Sequence, residues 1–146
     1  MKCFDFYSLA DKMRCGYRNF SGTDLTGIPH PDRKYDKYEF RGSDMRGSMF
    51  NHTEFIECNF SGADLRGSDF YGVKLSECNF SGADLRGTRF YRCEIDNATR
   101  FKGATVSGIY FDNMEIPLEI SSNSTYYIWF NKRWEYNPPF IFSYES

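Results

Sequence analysis

The sequence lacks a long apolar run, a surplus of basic charge and a cluster of metal-binding side chains. Its 146 residues contain 18 Lys and Arg against 20 Asp and Glu, for a net charge of −2. Because no apolar run approaches about 18 residues, no membrane-spanning helix is predicted and no membrane partner is expected. A near-neutral chain also lacks the basic surplus of unselective nucleic-acid binders, so no direct nucleic-acid partner is expected. No apolar stretch follows Lys2, so no secretory signal is predicted.

Cysteine and histidine are scarce. The five cysteines are Cys3, Cys15, Cys58, Cys78 and Cys93, no C-x-x-C pair occurs, and only two histidines are present. This pattern predicts free thiols in a reducing compartment, hence a cytoplasmic location, and no metal site. Since no Ser-His-Asp set, Gly-rich phosphate loop or H-E-x-x-H motif is present, we expect neither an enzyme nor a cofactor.

Aromatic residues and an internal repeat dominate the sequence instead. Fifteen Phe, 11 Tyr and two Trp make up 19% of the chain, enough to bury a core. Residues 58–67 and 78–87 both read CNFSGADLRG, and the blocks 58–77 and 78–97 are identical at 12 of 20 positions. Related blocks lie at 18–27, at 38–47 and, displaced by one residue, at 99–108. A repeat of this length is typical of solenoids.

A five-residue period runs inside the longer one. Large apolar residues recur at every fifth position from Phe40 to Ile95, and from Met45 onward a smaller residue precedes each by two positions. Two inward positions two residues apart indicate an extended segment, and the three-residue step to the next pair requires a corner. Four corners close a 20-residue coil, with Gly at corners because it tolerates the backbone angles needed there. The predicted core ladder along the axis contains Phe50, Phe60, Leu65, Phe70, Leu75, Phe80, Leu85 and Phe90.

The two periods together predict an all-β fold, a four-sided parallel β-solenoid of about five 20-residue coils. Neighbouring coils should stack about 4.8 Å apart through backbone ladders. A helix is excluded, because a period of five leaves no continuous face on a helix of 3.6 residues per turn.

The repeats resemble those of the pentapeptide repeat family, whose motif is a small residue, Asp or Asn, Leu or Phe, and two mostly polar residues that often end in Gly. Ala63-Asp64-Leu65-Arg66-Gly67 and Ala83-Asp84-Leu85-Arg86-Gly87 match this motif. The resemblance covers about residues 18–117 and implies a right-handed quadrilateral β-helix. It indicates little about function, because the motif residues build the solenoid.

Two internal segments depart from the repeat. Residues 28–37 keep the spacing but lose the pattern, and we expect a loop with His30 off the axis, either a frayed first coil or a recognition loop. One residue is inserted between Ala98 and Arg100. We expect a bulge that points Arg100 outward, because an unpaired buried charge would be costly.

The two ends lie outside the repeat. In residues 1–17, the capping box Ser8-Leu9-Ala10-Asp11 predicts a short helix over the open end of the first coil. In residues 118–146, Asn131-Lys132-Arg133 is expected to turn between two short strands, and Pro138-Pro139 to end regular structure. The aromatic-rich tail is expected to cap the last coil, to form a homodimer interface, or both, and a site for another partner stays open. Its candidate interaction residues are Trp129, Phe130, Trp134, Tyr136 and Phe140.

Charged residues form columns at the 20-residue period. Asp24, Asp44, Asp64 and Asp84 make one outward column, and Arg46, Arg66 and Arg86 make another two residues further on. Because like charges about 4.8 Å apart repel, we expect a salt-bridge lattice between the columns. Asp44, Asp64 and Asp84 are also candidate interaction residues. A third column alternates in sign through Lys34, Glu54, Lys74 and Glu94.

The sequence leaves two functions open. The first is a non-enzymatic scaffold for protein–protein interaction or assembly. The second is implied by the family resemblance: a rod-like dimer that mimics a DNA duplex, binds DNA gyrase or topoisomerase IV and protects against quinolones. The five coil blocks carry net charges of only +1 to −2, whereas a duplex mimic should present a strongly acidic face. The expected partner is a protein, a type II topoisomerase in the second case.

Overall fold

The computed structural model describes residues 12, 16–26, 29–30, 34–121, 127–130 and 133–136. Within these residues the chain winds into a four-sided solenoid of parallel strands, which confirms the predicted fold class. Two sides are regular sheets, with strand orders β1-β3-β5-β7-β9-β10-β11 and β2-β4-β6-β8. The helix and strands are β1 Pro29–His30, β2 Lys34–Asp36, β3 Met49–Asn51, β4 Glu54–Ile56, β5 Asp69–Tyr71, β6 Lys74–Ser76, β7 Arg89–Tyr91, β8 Glu94–Ile95, β9 Tyr110–Asp112, α1 Leu118–Ser121, β10 Tyr127–Phe130 and β11 Arg133–Tyr136.

The other two sides are ladders of single parallel bridges. One joins Asn19, Glu39, Asn59, Asn79 and Arg100, and the other joins Asp24, Asp44, Asp64, Asp84 and Thr105. Each of these two sides therefore has five levels, and the five strands β1, β3, β5, β7 and β9 give the long sheet five levels before the β10–β11 hairpin. The side formed by β2, β4, β6 and β8 has four levels in the described part of the chain. The expected five coils are thus four complete coils and three sides of a fifth.

The axis is filled by the residues of the five-residue period. Each of the eight predicted core-ladder residues is at most 1% exposed. The rings stack from coil to coil, with centroids 4.7 Å apart for Phe60 and Phe80 and 4.8 Å apart for Phe70 and Phe90. These separations equal the spacing of neighbouring β-strands, so the backbone ladder sets the distance between the rings.

Corners occur where the backbone takes a positive φ. Gly62 and Gly82 adopt φ of 66° and 68°, in the left-handed region that glycine enters without a steric penalty. Each donates its N–H to the carbonyl of the next coil, 2.9 Å away at Ser81 and at Lys102. The same conformation at Glu57 and Glu77, with φ of 52° and 54°, shows that corners after the three-residue strands tolerate a side chain.

The prediction of a loop over residues 28–37 is wrong for the residues described there, which form β1 and β2. Pro29–His30 pairs in parallel with β3, and Lys34–Asp36 pairs with β4. His30 is the backbone partner of Phe50, and Tyr35 lies on the axis with 1% exposure. Residues 31–33 lie outside the described residues. Ladder hydrogen bonds use backbone groups, so the second coil imposes its register on a first coil that has lost the repeat.

The inserted residue near Ala98 is absorbed by side-chain hydrogen bonds, and Arg100 is exposed as expected. In earlier coils the corner N–H groups of Lys37 and Glu57 donate to carbonyls of the next coil. At the insertion, the Glu77 N–H donates instead to the Asp96 carboxylate at 3.0–3.1 Å. The Thr99 hydroxyl donates to the same carboxylate at 2.8 Å. A side chain thus replaces a ladder carbonyl where the chain changes register.

The C-terminal end of the solenoid is closed in two ways. In the preceding coil, the Phe80 N–H donates to the carbonyl of Arg100. The equivalent N–H in the last coil, that of Phe101, donates instead to a carboxylate oxygen of Glu119 in α1. β10 continues the long sheet beside β9, and β11 pairs antiparallel with β10, so the two short strands expected in the tail are present. The helix predicted around Ser8–Asp11 and the Pro138-Pro139 segment lie outside the described residues. No helix within the described ranges has the length and apolar character needed to cross a membrane.

Replacing Phe70 with alanine removes an axial ring that is 1% exposed, and should lower the free energy of unfolding by about 3–5 kcal/mol. The matched control is Tyr71→Ala, the next residue on the same strand, which is 40% exposed and should cost about 1 kcal/mol or less. Urea unfolding of both variants measures the difference. Similar losses for the two would contradict the assignment of Phe70 to the axis.

Candidate binding groove on the long sheet

A groove lies on the outer face of the long sheet. The outward residues on both sides of the axial position form two rows, because parallel pairing places equivalent residues one above the other. The first row is Met49, Asp69, Arg89 and Tyr110, and the second is Asn51, Tyr71, Tyr91 and Asp112. Between the rows runs a groove of about 720 Å³ whose floor is the backbone of Phe70 and Phe90. We call it the axial groove, because it follows the solenoid axis.

Tyrosines form one wall of the axial groove. The Tyr71 and Tyr91 rings are stacked, with centroids 5.0 Å apart and an interplanar angle of 15°. His52 packs edge-on against Tyr71 at 5.3 Å. The imidazole occupies the space above Gly72, where a Cβ would lie 2.7 Å from Nδ1 of His52. A side chain at Gly72 would therefore displace the imidazole from Tyr71.

Cationic and amide groups contact two of the groove's aromatic side chains, Tyr91 and Tyr110. The Arg89 guanidinium lies over the Tyr110 ring, 5.5 Å from its centroid, and the Arg92 guanidinium lies equally far from the Tyr91 centroid. The Asn113 amide donates to the Tyr91 hydroxyl at 3.4 Å. The groove thus combines rigid aromatic surface with hydrogen-bond donors, the combination that anchors protein interfaces.

Arginine side chains compensate the negative charges of Asp44, Asp64 and Asp84 in the aspartate column. Each carboxylate receives two hydrogen bonds from the arginine two residues later, at 2.6–2.9 Å. Arg46 and Arg66 also lie 3.8 and 3.7 Å from the aspartate of the next coil. The predicted salt-bridge lattice is therefore present. Hydrogen bonds from the arginines hold the pKa values of Asp44 and Asp84 below their usual range.

The alternating column also pairs between coils. Lys34 lies 4.0 Å from Glu54, and Lys74 lies 3.9 Å from Glu94. These side chains are 40–76% exposed, so each pair contributes little to stability. This side presents balanced charges, and the axial groove is the more distinctive surface.

Four of the five candidate residues of the tail lie on the same sheet as the axial groove. Trp129 is the backbone partner of Tyr110 in the parallel pair and of Trp134 in the antiparallel pair. Phe130 pairs with Phe111, and Tyr136 pairs with Tyr127. Phe140 lies outside the described residues. The hairpin thus lengthens the sheet that carries the groove.

The described cysteines are buried and unpaired. Cys58 and Cys78 are each 1% exposed, and their thiols donate to the carbonyls of Tyr35 and Phe55, both at 3.3 Å. The Cys93 thiol donates to the Phe70 carbonyl at 3.0 Å, and burial raises the pKa of Cys93 to about 12. A buried protonated thiol is a poor nucleophile, so these residues fill space beside the axis.

The residues that form the axial groove carry no motif that marks them as a binding surface. In the sequence, the positions beside the axial residues show only the pattern of charge columns. One signal was available: Tyr71 and Tyr91 are 20 residues apart, each directly after an axial Phe. Met49, Arg89 and Tyr110 have no such identity, and only the fold shows that they share a face.

Comparison with known proteins identifies the repeat. Residues 55–99 match a family model described as pentapeptide repeats, nine copies. Among curated proteins none matches the sequence.

The chain is also similar to solved structures, two of which are described as pentapeptide repeat proteins. One from Nostoc PCC 7120 is 22% identical, with a TM-score of 0.50, over 77% of this chain and 82% of its own. One from the Arabidopsis thaliana thylakoid lumen is 28% identical, with a TM-score of 0.49, over 69% of this chain. The match spans 65% of the length of the Arabidopsis protein. QnrB1, a plasmid-mediated fluoroquinolone resistance protein, is 20% identical, with a TM-score of 0.33, over 66% of this chain and 68% of its own. At these levels the Nostoc structure supports the fold alone.

Removing one carboxylate from the salt-bridge lattice should produce a pH-dependent loss of stability. Asp84 has a lowered pKa in the folded chain, mainly through its hydrogen bonds from Arg86, so its charged form stabilises the fold. That stabilisation is fully present above the unfolded pKa of about 3.9, and is lost as the pH falls through the lower folded pKa. Asp84→Asn should therefore cost at most about 1 kcal/mol near pH 7, because Arg86 is 50% exposed, and almost nothing at strongly acidic pH.

Thermal or urea unfolding of the wild type and Asp84→Asn across pH 2–7 measures this difference. Added salt should reduce it near neutral pH. A loss that stays constant over the whole pH range would show that the carboxylate charge is not its source.

Proposed function

We propose that the chain is a non-enzymatic scaffold, because residues 55–99 match the pentapeptide repeat model and repeats of that kind build a rod and carry no shared chemistry. In this proposal the scaffold binds a protein partner through the axial groove. The rigid solenoid holds the groove residues in fixed positions, which lowers the entropic cost of binding.

One observation carries the proposal: large apolar side chains are exposed on the groove face. Met49 and Tyr71 are 44% and 40% exposed, and both line the groove. Two of the three large hydrophobic side chains exposed among the described residues therefore lie on this groove, where a partner can bury them. Tyrosine and arginine, which also line the groove, are the residue types enriched at interface hot spots.

The charged residues support a binding role over a catalytic one. The carboxylates of the aspartate column are engaged by arginine. Among the described residues, no group of three or more His, Cys, Asp or Glu side chains is placed to hold a metal ion. The reduced, buried Cys58, Cys78 and Cys93 are consistent with a proposed location in the cytoplasm.

A homodimer through the tail stays a proposal. It is supported by β11, which is the last strand of the long sheet in the described part of the chain. Such a strand can pair with a second copy through its outer edge.

No observation favours the duplex-mimic alternative with DNA gyrase or topoisomerase IV. A mimic of the phosphate backbone needs uncompensated negative charge, and the aspartate column is paired with arginine in every coil from Asp44 onward to Asp84. A topoisomerase among the captured partners in the experiment below would nevertheless restore this alternative.

The proposal predicts that the partner depends on the groove tyrosines. Affinity capture from cells expressing the full chain should recover a partner with the wild type and lose it with Tyr71→Ala/Tyr91→Ala. The tyrosines supply buried aromatic area that alanine cannot replace. The matched control is Glu54→Ala/Lys74→Ala, which changes two exposed residues of adjacent coils on the neighbouring sheet and should retain the partner.

Quantitative mass spectrometry of the three captured samples, with circular dichroism to confirm folding, gives the measurement. Retention of every partner by the tyrosine variant would show that the axial groove is not the binding surface.

A further inference from the structure

The groove face carries one acidic and one basic side chain that are unpaired within the described residues. Asp69 and Arg89 are neighbours in the first row of the axial groove. Neither forms an ion pair in the described part of the chain, whereas each arginine beside the aspartate column contacts a carboxylate. The Arg89 guanidinium lies over the Tyr110 ring, on the side away from Asp69. Both charges are therefore available to a molecule that covers this face.

The first row is complementary to itself when its direction is reversed. Its order along the solenoid axis is Met49, Asp69, Arg89 and Tyr110. If a second copy of the chain lies on this face with its axis reversed, Asp69 faces Arg89 of the second copy, and Arg89 faces its Asp69. The same reversal places Met49 opposite Tyr110, a thioether against an aromatic ring. Two ion pairs and two apolar pairs form together.

The second row is complementary under the same reversal. Its order is Asn51, Tyr71, Tyr91 and Asp112. Reversal places Tyr71 opposite Tyr91 of the second copy, which makes two aromatic pairs. It also places the Asn51 amide, which can donate hydrogen bonds, opposite the Asp112 carboxylate, which accepts them. Both rows thus select one relation, a two-fold axis that is parallel to the strands and passes between β5 and β7.

The charges specify the register of this relation. A shift of one coil in one direction places Asp69 opposite Asp69 of the second copy, and a shift in the other direction places Arg89 opposite Arg89. Like charges in contact repel each other. If the two axes were parallel instead, the first row would face the second row, so that Asp69 would meet Tyr71 and no ion pair would form. The antiparallel relation centred between β5 and β7 is the one that pairs both charges.

The size of the groove face determines how tightly two copies can bind. The two-fold relation places β3 opposite β9, and β1 opposite β10 of the second copy, so six levels of the long sheet take part. Six levels span about 24 Å, and three-residue strands span about 10 Å. This face is much smaller than the roughly 800 Å² per partner that stable complexes bury. We therefore expect a reversible dimer with a Kd in the micromolar range.

We propose that the groove face binds a second copy of this chain in an antiparallel dimer, with two symmetric ion pairs between Asp69 and Arg89. This inference rests on the proposed function, because it names the protein partner of the same groove. The dimer covers Met49 and Tyr71, which are exposed in the single chain. It is distinct from a dimer through the tail, which does not require these residues.

Sedimentation equilibrium of the full chain over a micromolar concentration series tests the proposal. The mass of the wild type should rise from that of one chain to that of two. Asp69→Arg and Arg89→Asp each place like charges opposite each other at two symmetric positions, and each should weaken self-association at least about tenfold. Glu54→Ala/Lys74→Ala, on the neighbouring sheet, should associate like the wild type. Circular dichroism checks that every variant is folded.

A mixture of the two charge variants gives the sharpest test. The Asp69→Arg chain is positive at both positions and the Arg89→Asp chain is negative at both, so each complements the other. The mixture should form a heterodimer of about wild-type affinity, although neither chain dimerises well alone. The double variant Asp69→Arg/Arg89→Asp should regain self-association, because both ion pairs are restored with their signs exchanged. A dimer through the tail would show neither effect.

The outcomes separate this inference from the proposed function. A wild type that stays monomeric, single charge variants that still self-associate, or a mixture that fails to associate would overturn the inference. If the wild type is monomeric and Tyr71→Ala/Tyr91→Ala still loses its captured partner, the groove binds a different protein and the proposed function stands. If the wild type is monomeric and the tyrosine variant keeps every captured partner, both the inference and the proposed function are wrong.

Discussion

The structure depends on the parallel backbone ladder that joins each residue to the residue one coil later. The ladder fixes the coil spacing, and every other regularity follows from it. Axial rings stack with centroids 4.7–4.8 Å apart for the pairs Phe60–Phe80 and Phe70–Phe90, the same distance that separates neighbouring strands. The small residues beside them, such as Ala63 and Ala83, fill the remaining volume and are fully buried.

A ladder requires that each backbone donor find an acceptor, and this explains how the solenoid tolerates irregular sequence. At the insertion, the Asp96 carboxylate accepts the N–H of Glu77. At the end of one side, the Glu119 carboxylate accepts the N–H of Phe101. Both carboxylates accept hydrogen bonds from backbone donors at positions where the ladder supplies no carbonyl. In the first coil no such substitute is needed: Pro29–His30 lacks the repeat motif but still pairs in register with β3.

The ladder also creates the outer surface, because it converts a 20-residue period into columns. Where a column carries charge, neighbouring columns compensate it, as Asp64 and Arg66 do. Where a column carries tyrosine, as at Tyr71 and Tyr91, the rings stack and remain partly exposed. The proposed binding role arises from this difference, since the tyrosine column leaves apolar surface that a partner can cover.

The amino-acid sequence by itself determined the coil length, the axial residues and the compensated charge columns, because each of these depends on spacing along the chain. The course of Pro29–His30 and Lys34–Asp36, the number of complete coils and the axial groove were decided by tertiary structure. Met49, Asp69, Arg89 and Tyr110 are four different residue types with no common motif, and they become one wall only when coils stack in register. Backbone pairing does not depend on side-chain identity, so it extends the fold through residues whose sequence gives no sign of it.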